Sequence, residues 1–444
     1  MIPKDQLDAL KPFQARAIIE ELRKGSVPMD YVPFFTVGRE NWLTFIEDDL
    51  DHYIAEGGAK VRFINGDYGD GKTHFMSVIR HMALDKGFAV SFVVLSREVP
   101  MQKFEVVYRE IIRQLRVPAY NNPKDILQGI RSLLDAWVSN FHSDAHSNES
   151  PGLESTLLEK LRTTDENIRA LAGMETNFAN GLMSLLENRW KPLQEGETEE
   201  DRTGVRELLY QWFEGEKVAK KDLKPFQIFE SLNKTNSKRL FSSLVAFLRY
   251  LGCKGLILLL DELESVITQS TSVRNTSFEN VRLLIDNTEQ AQHLHIFFSI
   301  IPDVLLSEKG FKSYDALWSR VRSIGEGKRL NYRSILIDLH KTPLETAELI
   351  ELGLILRRIH EISYRWDAKE LVKESLLEQL CLYQKQMGLL SEVRLFIKGV
   401  IRVLDMAEQG EAPEESLDLK EQILSSRREV EQEKMEQLQP KWDD

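Results

Sequence analysis

Five short apolar runs recur along the chain, and each is followed by a longer segment whose apolar residues lie three or four positions apart. The runs are 61–64, 88–95, 255–260, 294–301 and 335–339. Uninterrupted apolar runs of this length suit strands that are buried on both faces of a sheet. Their alternation with helices predicts a parallel sheet covered by helices, and therefore the α/β fold class.

The spacing of apolar residues also divides the chain into regions. From about residue 106 to 251 it is almost wholly helical, with polar breaks at 142–152 and 194–201, and we interpret this stretch as an insertion into the sheet. Apolar residues three and four apart return after the last predicted strand. The predicted regions are an N-terminal segment with the first part of the core (1–104), a mainly helical insertion (105–251), the second part of the core (252–342), a C-terminal helical region (343–408) and an acidic tail (409–444).

The net charge of −12 is unevenly distributed. Residues 409–444 hold eleven acidic and five basic residues, and this excess of acidic residues accounts for half of the net charge. Their composition predicts a solvated helix or a disordered tail. By contrast, residues 310–334 hold six basic and two acidic residues, and a second basic cluster lies at 217–224. Either cluster could contact phosphates or be solvated, so the acidic total does not exclude nucleic acid as a partner.

Several classes of protein are excluded by composition. The chain has no uncharged apolar run of about 18 residues, so no membrane span is predicted. The first ten residues lack the basic and apolar regions of a signal peptide. The two cysteines, Cys253 and Cys381, are far apart and form no metal-binding or disulfide pattern. We therefore expect a protein of the reducing cytoplasm.

The first predicted strand runs into GDYGDGKT, residues 66–73, which matches the Walker A pattern G-x-x-x-x-G-K-[ST]. The glycines allow backbone N–H groups to approach phosphates, Lys72 would reach the β and γ phosphates of ATP, and the hydroxyl of Thr73 would bind Mg²⁺. A segment with helical spacing follows, as this mechanism requires. The candidate nucleotide-binding residues are Gly66, Asp67, Tyr68, Gly69, Asp70, Gly71, Lys72, Thr73 and His74.

The third predicted strand ends in two carboxylates, in the sequence GLILLLDE. Because ligands of parallel sheets bind at the carboxyl ends of the strands, this pair should lie beside the glycine-rich loop. Asp261 fits a Walker B residue that holds Mg²⁺ through water, and Glu262 fits a base that activates the attacking water. The pair predicts hydrolysis in addition to nucleotide binding.

Other polar residues are weaker candidates. Ser299 near the end of the next strand could contact the attacking water or the γ-phosphate, with Asp303 as the fallback. Arg320 and Arg322 could serve as an arginine finger presented to the nucleotide of a neighbouring subunit, with Arg320 preferred, although surface ion pairing is the competing interpretation. Arg394 begins a helix in the C-terminal helical region and could reach the γ-phosphate.

These motifs resemble those of AAA+ and related P-loop ATPases, and the chain is broadly similar to the origin-recognition and transposition ATPases. The phrases GDYGDGKT and LILLLDELE carry the resemblance, and LHKTPLETAELIEL is similar to the passage from the last strand into the helical lid of such proteins. The resemblance implies an AAA+-like P-loop sheet with a large helical insertion, and it makes residues 343–408 a C-terminal lid.

Further phrases resemble the ATP-binding protein of BREX-type bacteriophage-defence systems. They are ARAIIEELRKGSVP, VPFFTVGRE, GDYGDGKTHF, QWFEGE, GLILLLDELES and EVRLFIKGVIRVLD. This resemblance implies a prokaryotic cytoplasmic ATPase that self-associates, binds duplex DNA and acts beside helicase or DNA-modifying defence proteins. Two alternatives stay open from the sequence: an ATP-gated scaffold with negligible hydrolysis, and a transposition target selector of similar architecture.

Overall fold

A mostly parallel sheet forms the middle layer of the protein in this computed structural model. The structure describes residues 7–119, 125–146, 153–190, 198–286, 292–322, 330–389, 391–411 and 427–428. Within these ranges the strands are β1 (Ala59–Asn65), β2 (Ala89–Val94), β3 (Leu115–Pro118), β4 (Ile126–Gln128), β5 (Leu256–Asp261), β6 (Leu294–Ile300) and β7 (Leu336–Asp338). Their order across the sheet is β4-β3-β2-β5-β6-β1-β7.

Helices cover the sheet and extend beyond it. In the described ranges they are α1 (Pro12–Arg23), α2 (Glu40–Asp49), α3 (Lys72–Asp85), α4 (Phe104–Arg113), α5 (Gly129–His146), α6 (Leu153–Arg169), α7 (Thr176–Trp190), α8 (Glu199–Phe213), α9 (Lys220–Leu223), α10 (Ser237–Tyr250), α11 (Thr271–Asp286), α12 (Pro302–Leu306), α13 (Asp315–Val321), α14 (Thr346–Tyr364), α15 (Glu374–Gln386) and α16 (Val393–Glu408). None of these helices is both long and apolar enough to cross a membrane.

The predicted α/β class is confirmed, since all five predicted strands form and pair in parallel. The prediction was wrong at one edge, where β3 and β4 pair antiparallel inside the stretch predicted to be helical. Strands of three and four residues are too short to show a period of two. Pro118 is tolerated because it is the last residue of β3, beyond the two residues that pair with β2.

Successive residues of the central strands pack on opposite faces of the sheet, as strand geometry requires. Phe63 and Leu258 face one core with residues of α4, α10 and α11, while Ile64 and Leu259 face another with residues of α2 and α3. Every residue of β5 is buried. This two-sided burial is the reason for the uninterrupted apolar runs in the sequence.

The described residues of the insertion share the first of these cores. Helices α5 to α8 and α10 contribute residues to the same buried cluster as the sheet. Aromatic pairs join the insertion helices: Trp137 packs edge-on against Phe247 at 5.2 Å, and Phe178 packs against Phe213 at 5.1 Å. The insertion is therefore continuous with one face of the sheet.

Residues 343–408, the predicted lid, pack against an element from the other end of the chain. Helix α1 packs against α14, and Ile18 and Ile19 share a buried cluster with residues of α14, α15 and α16. Arg23 ties the helices together, because its Nη2 donates to Asp405 Oδ1 at 2.7 Å and to the Tyr364 hydroxyl at 3.0 Å. The N-terminal helix therefore belongs structurally with the lid. Most of the predicted acidic tail lies outside the described residues.

Candidate functional site

The loop between β1 and α3 has the backbone conformation that its glycines permit. Gly69 and Gly71 adopt positive φ angles of 94° and 86°, which favour glycine, and Gly71 caps the start of α3. The side chain of Asp70 is 2% exposed, and its Oδ2 accepts a hydrogen bond from the N–H of Asp67 at 2.8 Å. The loop thus leads the chain directly to the positive end of a helix dipole, where anions are stabilised.

Lys72 is held across this loop. Its Nζ donates to the carbonyl of Gly66 at 2.9 Å and to that of Asp67 at 3.2 Å, and it lies 5.1 Å from the centre of the Tyr68 ring. The side chain is buried, so the ammonium group reaches the loop carbonyls without extending into solvent. An ammonium group next to a helix N-terminus concentrates positive charge at this point of the cleft.

A chain of hydrogen bonds joins four of the predicted residues. The hydroxyl of Thr73 donates to Asp261 Oδ2 at 2.7 Å, and the hydroxyl of Ser299 donates to Asp261 Oδ1. The Ser299 hydroxyl also accepts from the N–H of Glu262 at 2.9 Å. The pairing order β5-β6-β1 brings the ends of these strands together, although 37 positions separate Glu262 from Ser299.

Glu262 is exposed at the cleft and has a left-handed backbone conformation with φ of 60°. Desolvation around its carboxyl raises its pKa above the ordinary value, and the nearby charge of Asp261 raises it further. Lys72 and Arg394 oppose this effect. A carboxyl with a raised pKa in a cleft is typical of a group that exchanges protons, although ion-pair networks also produce such shifts.

The lid contacts the glycine-rich loop through the first turn of α16. The N–H of Arg394 donates to the carbonyl of Gly69 at 3.2 Å, and Arg394 lines the same cleft as Lys72 and Glu262. Arg394 therefore reaches the site within its own chain. Its predicted contact with a γ-phosphate stays a prediction.

Arg320 and Arg322 do not line this cleft. Arg320, at the end of α13, pairs with Asp286 of α11, with Nη2 3.0 Å from Oδ2. Arg322 is exposed just after α13. Asp303, the fallback for Ser299, is exposed in the first turn of α12. Desolvation is the main cause of a raised pKa of Tyr68, and the charge of Asp303 adds to it. The finger role of either arginine stays a prediction that concerns a neighbouring subunit.

The sequence did not reveal the role of Arg39. This residue has a φ of 62°, and its Nη2 donates to the carbonyl of Asp70 at 2.6 Å, which braces the glycine-rich loop from the segment before α2. Burial lowers the pKa of Arg39 to about 10. His74 is neutral at physiological pH, because burial and the charge of Arg39 lower its pKa to about 3, and its Nε2 lies 3.0 Å from the Thr36 hydroxyl.

Most of the remaining cleft wall is apolar, and much of it comes from the two ends of the chain. The N-terminal segment and the lid supply Leu22, Val27, Phe35, Val37, Leu344, Leu352, Val393 and Ile397. A cleft with one apolar wall and one group of charged residues matches the two parts of a nucleotide, a planar base and its phosphates. No local pattern in the sequence links these eight residues, because they meet only in the folded chain.

Glu264 is a further acidic residue of the cleft that the motif analysis left without a role. It lies in the short turn after β5, is 6% exposed, and its Oε2 has no hydrogen-bond partner. Burial raises its pKa to about 7, although the positive charge of Lys72 opposes the change. The sequence places Glu264 within LILLLDELE, but it does not show that the side chain is buried.

The fold and the cleft together define the class: a mixed α/β protein with a mostly parallel sheet, whose glycine-rich loop and acidic residues meet at the carboxyl ends of the strands. Residues 10–422 match the family model described as the BREX system ATP-binding protein BrxC/D. The match covers most of the chain, so the protein belongs to this family, and the predicted resemblance to the ATP-binding protein of BREX-type phage-defence systems is confirmed. Comparison with curated proteins and with solved structures gave no match.

Proposed function

We propose that this protein is a Mg²⁺-dependent ATPase with an AAA+-like P-loop core, and that ATP hydrolysis regulates its binding to DNA or to partner proteins in phage defence. Family membership supports ATP binding and a role in a BREX system. The observation that carries the proposal of hydrolysis is the hydrogen-bonded group of Thr73, Asp261 and Ser299 next to Lys72 and Glu262.

The residues at the loop fit a bound triphosphate and its metal. Thr73 and Asp261 bring two oxygen atoms within 2.7 Å of each other, and oxygen is the donor that Mg²⁺ prefers. Lys72 is already near the phosphate-facing backbone and can exchange the carbonyls of Gly66 and Asp67 for phosphate oxygens. Bound Mg²⁺ would neutralise charge that develops on the phosphates during transfer.

The other predicted residues have separate roles in the proposed reaction. Glu262 accepts a proton from the attacking water, for which its raised pKa is suited, because a general base is most effective when its pKa approaches the operating pH. Ser299 positions Glu262, since its hydroxyl binds both the Glu262 N–H and Asp261. Arg394 adds positive charge near the phosphates from the lid, and Arg320 or Arg322 of a neighbouring copy would supply the finger in a self-associated form.

The lid provides a route from the nucleotide to the rest of the molecule. Its α16 contacts the carbonyl of Gly69 in the loop, and its core includes α1. A change at the phosphates that breaks the contact between Arg394 and Gly69 would release the lid as one unit. We propose that this movement controls access of DNA or of helicase and DNA-modifying proteins in the cytoplasm.

The test compares the Glu262→Gln variant with a control, Glu308→Gln. Glu308 lies in the loop that follows α12, and its side chain is 91% exposed. We expect Glu262→Gln to bind a fluorescent ATP analogue as the native protein does and to release phosphate at least about a hundredfold more slowly, since general-base catalysis typically contributes 10²–10⁴-fold. Glu308→Gln should match the native protein in both assays. Equal turnover by Glu262→Gln would remove Glu262 from its role, and tight binding without turnover by the native protein would favour the ATP-gated scaffold.

A further inference from the structure

The insertion carries an ordered loop, residues 215–234, which we call the lysine loop. Its two arms meet, because the Ser231 hydroxyl donates to the carbonyl of Val218 at 3.1 Å. Trp212 Nε1 donates to the carbonyl of Glu230 at 2.9 Å, which ties the returning arm to α8. Leu223 and Ile228 are fully buried and anchor the loop in the core of the insertion. The loop is therefore a compact, packed unit of the kind that often carries function.

Basic side chains cover the outside of the lysine loop. Lys217, Lys220, Lys221, Lys224 and Lys234 are all exposed. Among the described residues, none of these five forms an ion pair, whereas many other basic residues of the protein do. The lysine loop contains five basic and three acidic residues, in a chain whose net charge is −12. The loop thus gathers unpaired positive charge on an otherwise acidic protein.

The same loop also carries an exposed aromatic residue. Phe229 is 60% exposed, although it directly follows the fully buried Ile228. Its position is set by the backbone, because the N–H of Phe229 donates to Asn177 Oδ1 at 2.8 Å and the neighbouring carbonyl of Gln227 accepts from Asn180 Nδ2 at 2.7 Å. A solvent-exposed ring on an ordered backbone, in the same loop as several lysines, is a combination that nucleic-acid surfaces use to join charge with stacking or apolar contact.

We propose that the lysine loop is the surface through which this protein contacts the phosphate backbone of duplex DNA. The inference rests on the proposed function for the presence of DNA as a partner, and it adds the site. Lysine is a point charge on a flexible stem and does not read base edges in the way that a guanidinium does. The contact is therefore independent of base sequence, sensitive to salt, and strengthened by Phe229 against a sugar or base.

The experiment compares two full-length variants with the same change in charge. The first replaces the four lysines of the outgoing arm by alanine (K217A, K220A, K221A and K224A), and the control replaces four exposed lysines elsewhere (K309A, K369A, K373A and K385A). Binding of a fluorescent 30-base-pair duplex is followed by anisotropy over a range of KCl concentrations, in the presence of ATP. Each lysine–phosphate contact contributes about 0.9 to the slope of log K against log salt.

We expect the loop variant to lower that slope by roughly 3 to 4 and to weaken binding about tenfold or more at 0.1 M KCl, while the control keeps the native slope. Phe229→Ala should weaken binding without changing the slope. Equal slopes for the loop variant and the control would overturn the proposal. Unchanged duplex binding with loss of binding to poly-glutamate would assign the loop to an acidic protein instead.

Phosphate release without DNA separates this proposal from the proposed ATPase function. The loop variant should hydrolyse ATP at the native rate, because none of its altered residues lines the nucleotide cleft. A native protein that hydrolyses ATP but does not bind the duplex refutes the loop proposal alone. A native protein that binds the duplex through the loop but hydrolyses no ATP refutes the ATPase proposal alone.

Discussion

The buried carboxyl of Glu264 allows a quantitative prediction. Its burial raises its pKa to about 7 from an ordinary value of 4.5, so the folded protein holds this proton more tightly than the unfolded chain does. Each tenfold change in proton affinity is worth about 1.4 kcal/mol, which makes the cost of ionising Glu264 in the folded protein about 3 kcal/mol. Glutamine has nearly the same shape and does not ionise.

The direction of the pH effect follows from the two pKa values. Above pH 7 the carboxyl is ionised in both states, so the folded protein carries the full cost. Below pH 4.5 it is protonated in both states and the cost is absent. As the pH falls from about 7 to 4.5, the native protein should therefore gain stability relative to Glu264→Gln. Other titrating groups, such as His74, are common to both proteins and cancel in the comparison.

Urea unfolding of the two proteins at pH 8 and pH 5, followed by circular dichroism, measures this difference. We expect Glu264→Gln to be more stable than the native protein by up to about 3 kcal/mol at pH 8, with most of that advantage lost at pH 5. Glu308→Gln, at an exposed position, should stay within about 0.5 kcal/mol of the native protein at both values. A Glu264→Gln variant whose stability relative to the native protein is the same at both pH values would refute the reasoning.

Two further predictions concern the glycine-rich loop and the sheet. Lys72→Ala should lose binding of a fluorescent ATP analogue by a factor of about a hundred while keeping its circular dichroism spectrum, because the ammonium group proposed to contact the phosphates is removed without a change of fold. Retained binding would contradict the role of Lys72. Gly255→Ala should lower the free energy of unfolding by roughly 3 kcal/mol or more, since its φ is 152° and a Cβ would lie against the backbone carbonyl of His293. The control is Gly204→Ala in α8, where an added Cβ would meet no neighbouring atom within 4 Å. Its free energy of unfolding, measured with urea, should rise by about 0.5–1 kcal/mol.

Much of the fold was predictable because its signals are local. The five parallel strands are each a single apolar run, and the strand, loop and helix around residues 66–73 are contiguous in the chain. The pairing of the loop with Asp261 followed from a general rule, that ligands lie at the carboxyl ends of parallel strands. The short strands β3 and β4 were not predicted, because three or four residues carry no measurable periodicity.

Contacts between distant segments were beyond any local pattern. The packing of α1 into the lid joins residues more than 300 positions apart, as does the contact of Arg23 with Asp405. The bracing of the loop by Arg39 and the ion pair of Arg320 with Asp286 are of the same kind. Such contacts depend on which surfaces the packed helices bring together, and hydrophobic packing is not directional enough to specify them from spacing alone.

The sequence by itself therefore determined the chemical groups of the site and the strands that carry them, since a motif is a short stretch of chain with a defined local geometry. The tertiary structure decided which of these groups meet. It joined Ser299 to Asp261 and Glu262, it withdrew Glu264 from water, and it exposed the lysines of residues 217–234. The physical reason is that burial and neighbouring charge, which set the pKa and the binding properties of each group, are properties of the packed chain.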